Sequence, residues 1–154
     1  MKIPLDVRLH SEGLKPFVNI HLKIPHQTVR GSTVRGLFSA FVDTGSPFTL
    51  ISEMDSNRLR IQLSGKPMLI RIGGSLLNKY DVTGVELKAI CDDKKIICNI
   101  SIPSIGVIRS VPGVSRSPET SRAMPSIIGV DILKQHRLAL YFDVVNKISF
   151  LEQV

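Results

Sequence analysis

Long apolar runs are missing from this sequence, and with them any indication of a membrane span. No stretch approaches the roughly 20 apolar residues that a transmembrane helix needs. The first residues also lack the apolar core of a secretory signal, because Pro4 and Asp6 interrupt it almost at once. We therefore expect a soluble, cytoplasmic protein without a membrane partner.

Cysteine and histidine are scarce, with two and four residues respectively. The histidines share no spacing typical of metal ligands and the cysteine segment offers too few ligands, so we expect neither a metal nor another cofactor. Cys91 and Cys98 flank the polar residues 92–95 between two apolar runs, which predicts a β-hairpin. A turn centred on Lys94-Lys95 would place the thiols opposite each other, whereas a turn centred on Asp93-Lys94 would offset them. Two buried, reduced thiols are the simpler expectation, and a disulfide is the alternative.

Basic residues outnumber acidic ones, giving a formal net charge of +7 and a pI near 9.7. Such a balance suits a nucleic-acid or anionic partner. The 20 basic residues are spread along the whole chain, however, and no zinc-finger spacing or aromatic RNA-binding motif accompanies them. A basic solvated surface is the simpler interpretation, so we expect no nucleic-acid partner. Salt-dependent retention on DNA or RNA would reveal the alternative.

Internal repeats are also absent, and 154 residues suit a single domain, residues 1–154. Most of the chain consists of short apolar segments separated by Gly, Pro and polar turns, which predicts an all-β domain. Strands are expected at residues 17–24, 34–42, 68–72, 76–82, 85–90, 96–102, 138–142 and 148–151.

Three segments do not fit the strand pattern. Residues Asp55 to Arg60 are polar and predict a loop or short turn, and residues 109–126, rich in Ser and Pro, predict an exposed, flexible loop. One short helix is expected to begin near Asp131, a residue type that caps helix N-termini well.

The most informative segment is Asp43-Thr44-Gly45-Ser46, directly after an apolar strand. An acidic residue at the edge of a core is costly unless it is hydrogen-bonded or functional. Strand-to-turn junctions favour these residue types in any case, so the motif alone is weak. A second motif follows about 80 residues later, where Ile127 and Ile128 precede Gly129 and the predicted helix.

Between these motifs, Gly73-Gly74 separates two strand-like runs and predicts a hairpin with a tight tip. In this order, the two motifs and the Gly-Gly hairpin resemble the retropepsin-like aspartic peptidases, the single-lobed homodimeric group that includes the retroviral proteases. The resemblance covers residues 33–151, whereas the segment before Thr33 has no counterpart in it. It implies a closed, mainly antiparallel acid-protease β-barrel with one short C-terminal helix.

The resemblance also implies roles for particular residues. Asp43 would be the catalytic aspartate, Thr44 would join the two active-site loops across a dimer axis, and Gly45 would present backbone to the substrate. Ser46 would hydrogen-bond the outer carboxylate oxygen. Residues Ile72, Gly73, Gly74 and Ser75 would form a flap, and Ile127, Ile128 and Gly129 would pack behind the catalytic loop. Pro47 and Phe48 follow the motif where retroviral enzymes carry acidic residues.

The implied chemistry needs two carboxylates, because a base must activate water while an acid polarises the peptide carbonyl. Aspartic proteases meet this need with a pair of aspartates that shares one proton. This chain has a single Asp-Thr-Gly, so a second copy would supply the partner Asp43 across a two-fold axis. The resulting hypothesis is a homodimeric aspartic endopeptidase acting on extended peptides. The alternative is a catalytically inactive dimerisation or peptide-binding module of the same fold.

Overall fold

The computed structural model describes residues 1–10, 13–25, 31–92, 96–113 and 124–154. Thirteen strands and two short helices occur in these ranges. The strands are β1 (Lys2–Pro4), β2 (Asp6–His10), β3 (Gly13–Ile24), β4 (Val34–Val42), β5 (Leu50–Ile51), β6 (Met68–Ile72), β7 (Ser75–Thr83), β8 (Glu86–Cys91), β9 (Ile96–Asn99), β10 (Ser104–Ser110), β11 (Ser126–Ile128), β12 (Leu138–Asp143) and β13 (Ile148–Gln153). The helices are α1 (Glu53–Arg58) and α2 (Val130–Gln135). Neither helix is long enough to cross a membrane.

The strands form one large and one small sheet. The large sheet runs in the order β6-β7-β10-β5-β11-β4-β3-β8-β9, with β2 paired to β3, and the small sheet runs β1-β13-β12. Pairing is antiparallel except between β5 and β10 and between β4 and β11. The mainly antiparallel, predominantly β fold is therefore confirmed. The pairings of the described residues form an open path from β6 to β9, so closure into a barrel stays a prediction.

Alternation of apolar and polar residues explains the central strands. In β3, Val18, Ile20, Leu22 and Ile24 are buried, whereas Asn19 and His21 are exposed. Strand β4 pairs with β3 over eight positions and alternates in the same way. Each fully buried Ile or Leu contributes about 1.5–3 kcal/mol relative to its exposed state. This pair of strands therefore carries much of the main core.

The segment before Thr33, which has no counterpart in the resemblance, is part of both sheets. Strand β1 pairs with β13, and β3 lies between β4 and β8 near the middle of the large sheet. Ile3 is fully buried in the main core. Whether residues 33–151 alone form the family core stays a prediction, but this chain's own fold uses residues 1–10 and 13–24.

Helix α1 lies where the sequence predicted a loop or turn, so that prediction was wrong. The hydroxyl of Ser52 caps the helix by accepting a hydrogen bond from Asp55 N at 3.1 Å. Glu53 and Asp55 occupy the first turn and Arg58 the last, which suits the helix dipole. The polar side chains of the segment bind neighbouring strands. Glu53 accepts a hydrogen bond from Ser110 in β10, and Asp55 accepts one from Ser126 in β11. The domain therefore has two helices in its described part rather than one.

The bounds of two other predicted segments also change. Arg109 lies within β10 and Ser126 is the first residue of β11, so the connection between these strands is shorter than the predicted loop of residues 109–126. Residues 114–123 lie outside the described residues, so the predicted flexibility of the loop stays a prediction. Gly129, not Asp131, occupies the N-cap position of helix α2, and the Asp131 carboxylate accepts from the Thr49 hydroxyl and from Ile132 N–H.

The closing hairpin of β12 and β13 matches its prediction. Asn146 donates from its backbone N–H to Asp143 Oδ1 at 3.0 Å and from its side chain to Oδ2 at 2.8 Å. Both hydrogen bonds lower the pKa of Asp143 below its ordinary value, and the bond from the Asn146 backbone has the larger effect. Asp143 therefore closes the turn between the two strands.

Cys91 and Cys98 form a disulfide between β8 and β9, with their Cα atoms 6.1 Å apart. The expectation of reduced thiols was wrong, although both side chains are buried as expected. The register pairs Cys91 with Ile96 and Cys98 with Ala89, so the thiols are offset rather than opposite. The turn residues 93–95 lie outside the described residues. Disulfides are rare in the cytosol, and the cytoplasmic location stays a prediction.

We predict that reducing the disulfide lowers the free energy of unfolding by about 2 kcal/mol, because the bond closes only a short loop of the unfolded chain. Urea unfolding with and without reductant measures the difference. The Cys91→Ala/Cys98→Ala variant is the control and should not respond to reductant. Alkylation of two free thiols in the native, unreduced protein would contradict the prediction.

Candidate active site

Asp43 lies one residue beyond the end of β4, where two parallel strands meet. Its backbone N–H donates to the carbonyl of Ile128 at 3.0 Å, continuing the pairing of Val42 with Ile128. The side chain is half-buried. The apolar strands on both sides thus fix the position of the carboxylate, while the residues that follow leave the sheet.

The turn after Asp43 wraps back onto its carboxylate. Gly45 N–H donates to Asp43 Oδ1 at 2.9 Å, and Ser46 N–H donates to the Asp43 carbonyl at 3.2 Å. A Cβ on Gly45 would lie 3.2 Å from Asp43 Oδ1, so a side chain would crowd the carboxylate. Thr44, at the outer tip of the turn, is exposed.

Ser46 differs from the role that the resemblance implied. Its hydroxyl donates to the carbonyl of Phe48 at 2.7 Å rather than to the carboxylate of Asp43. Its own carbonyl accepts from Val130 N–H at 2.8 Å. In the single chain, Ser46 therefore shapes the loop between Asp43 and Phe48.

The predicted hydrophobic-Gly element lies directly behind this loop. Ile127 and Ile128 in β11 pair with Phe41 and Val42 of β4. A Cβ on Gly129 would lie 2.4 Å from the Phe48 carbonyl oxygen and 2.9 Å from that of Ser46. Only glycine lets the two backbones approach this closely, because contacts under 3.0 Å with backbone atoms cannot be relieved by a side-chain movement.

A second set of hydrogen bonds ties the far end of the loop to α2. Thr49 is buried, and its N–H and hydroxyl donate to the two oxygens of Asp131 at 2.8 and 2.6 Å. The same hydroxyl accepts from Gly129 N–H at 3.0 Å. Sequence analysis missed this contact and treated Asp131 as a helix cap. No local pattern could have revealed it, because the partners are 82 residues apart.

The Gly-Gly hairpin, the predicted flap, joins β6 to β7. Gly73 and Gly74 have φ values of 55° and 82°, which suit a two-residue turn and strongly favour glycine. Ile72 pairs with Ser75 at the base of the turn. A Cβ on either glycine would meet nothing within 4 Å, so backbone conformation, not space, requires glycine there.

A cavity of about 240 Å³ connects the hairpin with the Asp43 loop. It brings together Asp43, Gly45, Ser46, Ile72 and Ile127 of the predicted site. Thr44, Gly73, Gly74, Ser75, Ile128 and Gly129 do not line it. Its wall is largely apolar and also includes residues that the sequence did not suggest as site residues: Pro47, Phe48, Leu50, Ile70 and Arg71.

No protein-family model matches the sequence, and no curated protein matches it either. Among solved structures, the chain is similar to a retropepsin-like aspartic protease from Rickettsia conorii, with a TM-score of 0.49 and 11% identity over 99% of this chain and 91% of that one. It is also similar to EIAV protease complexed with the inhibitor HBY-793, with a TM-score of 0.44 and 15% identity over 84% of this chain and 93% of that one. The chemistry of the site rests on its own residues.

We predict that Gly129→Ala destabilises the protein by about 3 kcal/mol, because the added methyl group overlaps the backbone of the Asp43 loop. Chemical denaturation measures the change. Gly13→Ala is the matched control, since its Cβ would meet nothing within 4 Å and should change stability by about 0.5 kcal/mol or less. Equal stability of the two variants would contradict the close approach.

We also predict that Thr49→Val and Asp131→Asn each destabilise by about 1–3 kcal/mol, because each leaves hydrogen-bonding groups without partners. The double variant should lose less than the sum of the single losses, since both changes break the same network. Thr83→Val, on an exposed position of β7, is the control. Strict additivity of the two losses would show that Thr49 and Asp131 act independently.

Proposed function

We propose that this protein is an aspartic endopeptidase that is active as a homodimer, with Asp43 from each copy forming the catalytic pair. The observation that carries the proposal is the position of the Asp43 carboxylate. It is half-buried, held by Gly45 N–H, and forms part of the wall of a cavity that reaches the Gly-Gly hairpin.

The need for a second copy follows from the chemistry of peptide hydrolysis. One carboxylate must take a proton from water while another group gives a proton to the carbonyl oxygen. Asp43 is the only acidic residue that lines the described cavity. A two-fold axis beside the exposed Thr44 would bring two copies of Asp43 together, and Thr44 would then join the two loops.

The proposed substrate is a protein or peptide segment in extended conformation. The cavity lies between the Asp43 loop and strand β6 of the hairpin, and its apolar lining suits the side chains of such a segment. The hairpin would close over the bound segment as a flap and exclude bulk water. The reaction needs no metal or organic cofactor in this scheme, because water and the two carboxylates supply every proton transfer.

We predict that the wild-type protein cleaves an unfolded protein between pH 3 and 7, most strongly on the acidic side, where a carboxylate pair retains its shared proton. Asp43→Asn should abolish cleavage, because an amide can neither activate water nor exchange the proton. Gel or mass-spectrometric detection of fragments measures the outcome. Asp6→Asn is the matched control, since Asp6 does not line the cavity and its carboxylate contacts the exposed side chains of Arg8 and Asn19.

The dimer is tested in the same experiment by varying protein concentration. Specific activity should fall on dilution as the dimer dissociates, and sedimentation should show the loss of dimer over the same range. Fragments produced equally by Asp43→Asn would overturn the catalytic role. A dimer that binds unfolded protein without cleaving it would instead support an inactive peptide-binding module.

A further inference from the structure

Lys79 is a buried lysine that the proposed mechanism does not use. It lies in β7 beside the cavity, with only 7% of its surface exposed. Its ammonium donates to Asp81 Oδ1 at 2.7 Å, and Asp81 itself is largely exposed. Burying an ammonium group is costly unless it has compensating partners. One exposed carboxylate offsets only part of this cost, so a second partner is expected.

The second partner of the ammonium is the ring of Phe48. Lys79 Nζ lies 4.6 Å from the ring centroid, within the range of a cation–π interaction. Phe48 lines the cavity and is 43% exposed, whereas Lys79 does not line the cavity. The lysine therefore lies behind a ring that forms part of the cavity wall.

Gly106 in β10 makes room for this arrangement. A Cβ at this position would lie 2.8 Å from Lys79 Cε and 2.6 Å from Leu50 Cδ2. The aliphatic part of the lysine thus packs over a glycine, and its ammonium reaches the end of the Asp43 loop. Phe48 belongs to that loop, and its carbonyl accepts a hydrogen bond from the Ser46 hydroxyl.

We propose that Lys79 is a positioning residue that sets the side-chain preference of the substrate cleft through Phe48. The ammonium holds the ring as a wall of the cleft, and its charge makes the ring a poor surface for a second cation. Peptides with an aliphatic or aromatic side chain against Phe48 are therefore favoured over peptides with Lys or Arg there. This inference rests on the proposed peptidase function.

The preference is measured with peptides that differ only in one side chain, Leu or Lys, at each position around the cleaved bond. Wild type should favour Leu at one of these positions. Lys79→Met, which keeps the chain length and removes the charge, should reduce the Leu-to-Lys ratio of kcat/KM by about 3- to 10-fold, mainly through KM, as expected for loss of one cation–π contact. Lys79→Arg should retain the ratio. Lys88→Met, on an exposed position of β8, is the matched control.

Loss of stability alone would lower the amount of active enzyme and leave the ratio unchanged, so an unchanged ratio in Lys79→Met overturns the proposal. In a Phe48→Leu background, Lys79→Met should no longer alter the ratio, because the ring through which it acts is gone. A further change of similar size in that background would show that Lys79 does not act through Phe48.

A separate readout does not depend on cleavage. The chain contains no tryptophan, so Phe48→Trp introduces a single tryptophan at the cavity wall, whose emission can be excited separately from that of the two tyrosines. Adding Lys79→Met should shift its emission and increase its quenching by acrylamide, and unchanged emission and quenching would overturn the contact. If the wild type cleaves no peptide, the peptidase function and the selectivity role both fail, while this probe still decides whether Lys79 holds the ring.

Discussion

The site depends on the attachment of one loop, residues 43–49, to the strand and helix behind it. Backbone hydrogen bonds join Asp43 to Ile128 and Val130 to Ser46, and the Thr49 hydroxyl bridges Gly129 and Asp131. These bonds hold both ends of the loop, and Gly45 N–H holds the carboxylate of Asp43, its first residue, in a defined direction. Two of the attachments join backbone to backbone and the others use the Thr49 and Asp131 side chains, so the close approach at Gly129 and the Thr49–Asp131 contact both hold the loop.

The same attachment limits how two copies could meet. Asp43 is held at the end of β4 and Thr44 is exposed beyond it, so Thr44 is the part of the loop that the proposed dimer would use for contact. Strand β13 is different, because β1 and β12 already pair with its two edges within one chain. A dimer sheet that included β13 would first have to displace one of these neighbours. The proposed dimer therefore rests on the Asp43 loops and not on direct pairing with β13.

Local patterns in the sequence predicted the elements that local physics determines. Alternation located β3 and β4, and the Gly-Gly pair located the hairpin, because its positive φ values favour glycine. The contact of Asp131 with Thr49 could not be predicted, since the partners are distant in sequence and Asp is also a common helix cap. Helix α1 was missed for a similar reason: its polar residues resemble a loop until Ser110 and Ser126 are brought beside them. The offset disulfide likewise depends on a turn register that the sequence left open.

The cavity is built on an apolar cluster separate from the main core. Leu50, Leu77, Ile108 and Ile127 form this smaller cluster, whereas the residues next to three of them, Ile51, Val107 and Ile128, belong to the main core. Strands β5, β10 and β11 are therefore buried on both faces, one facing the main core and the other the smaller cluster. The side chains of the two faces thus pack in separate clusters, and Leu50 and Ile127 of the smaller cluster also line the cavity. In the proposed function, this division places the determinants of substrate preference, such as Phe48 and the lysine behind it, on the face of the sheet opposite the main core.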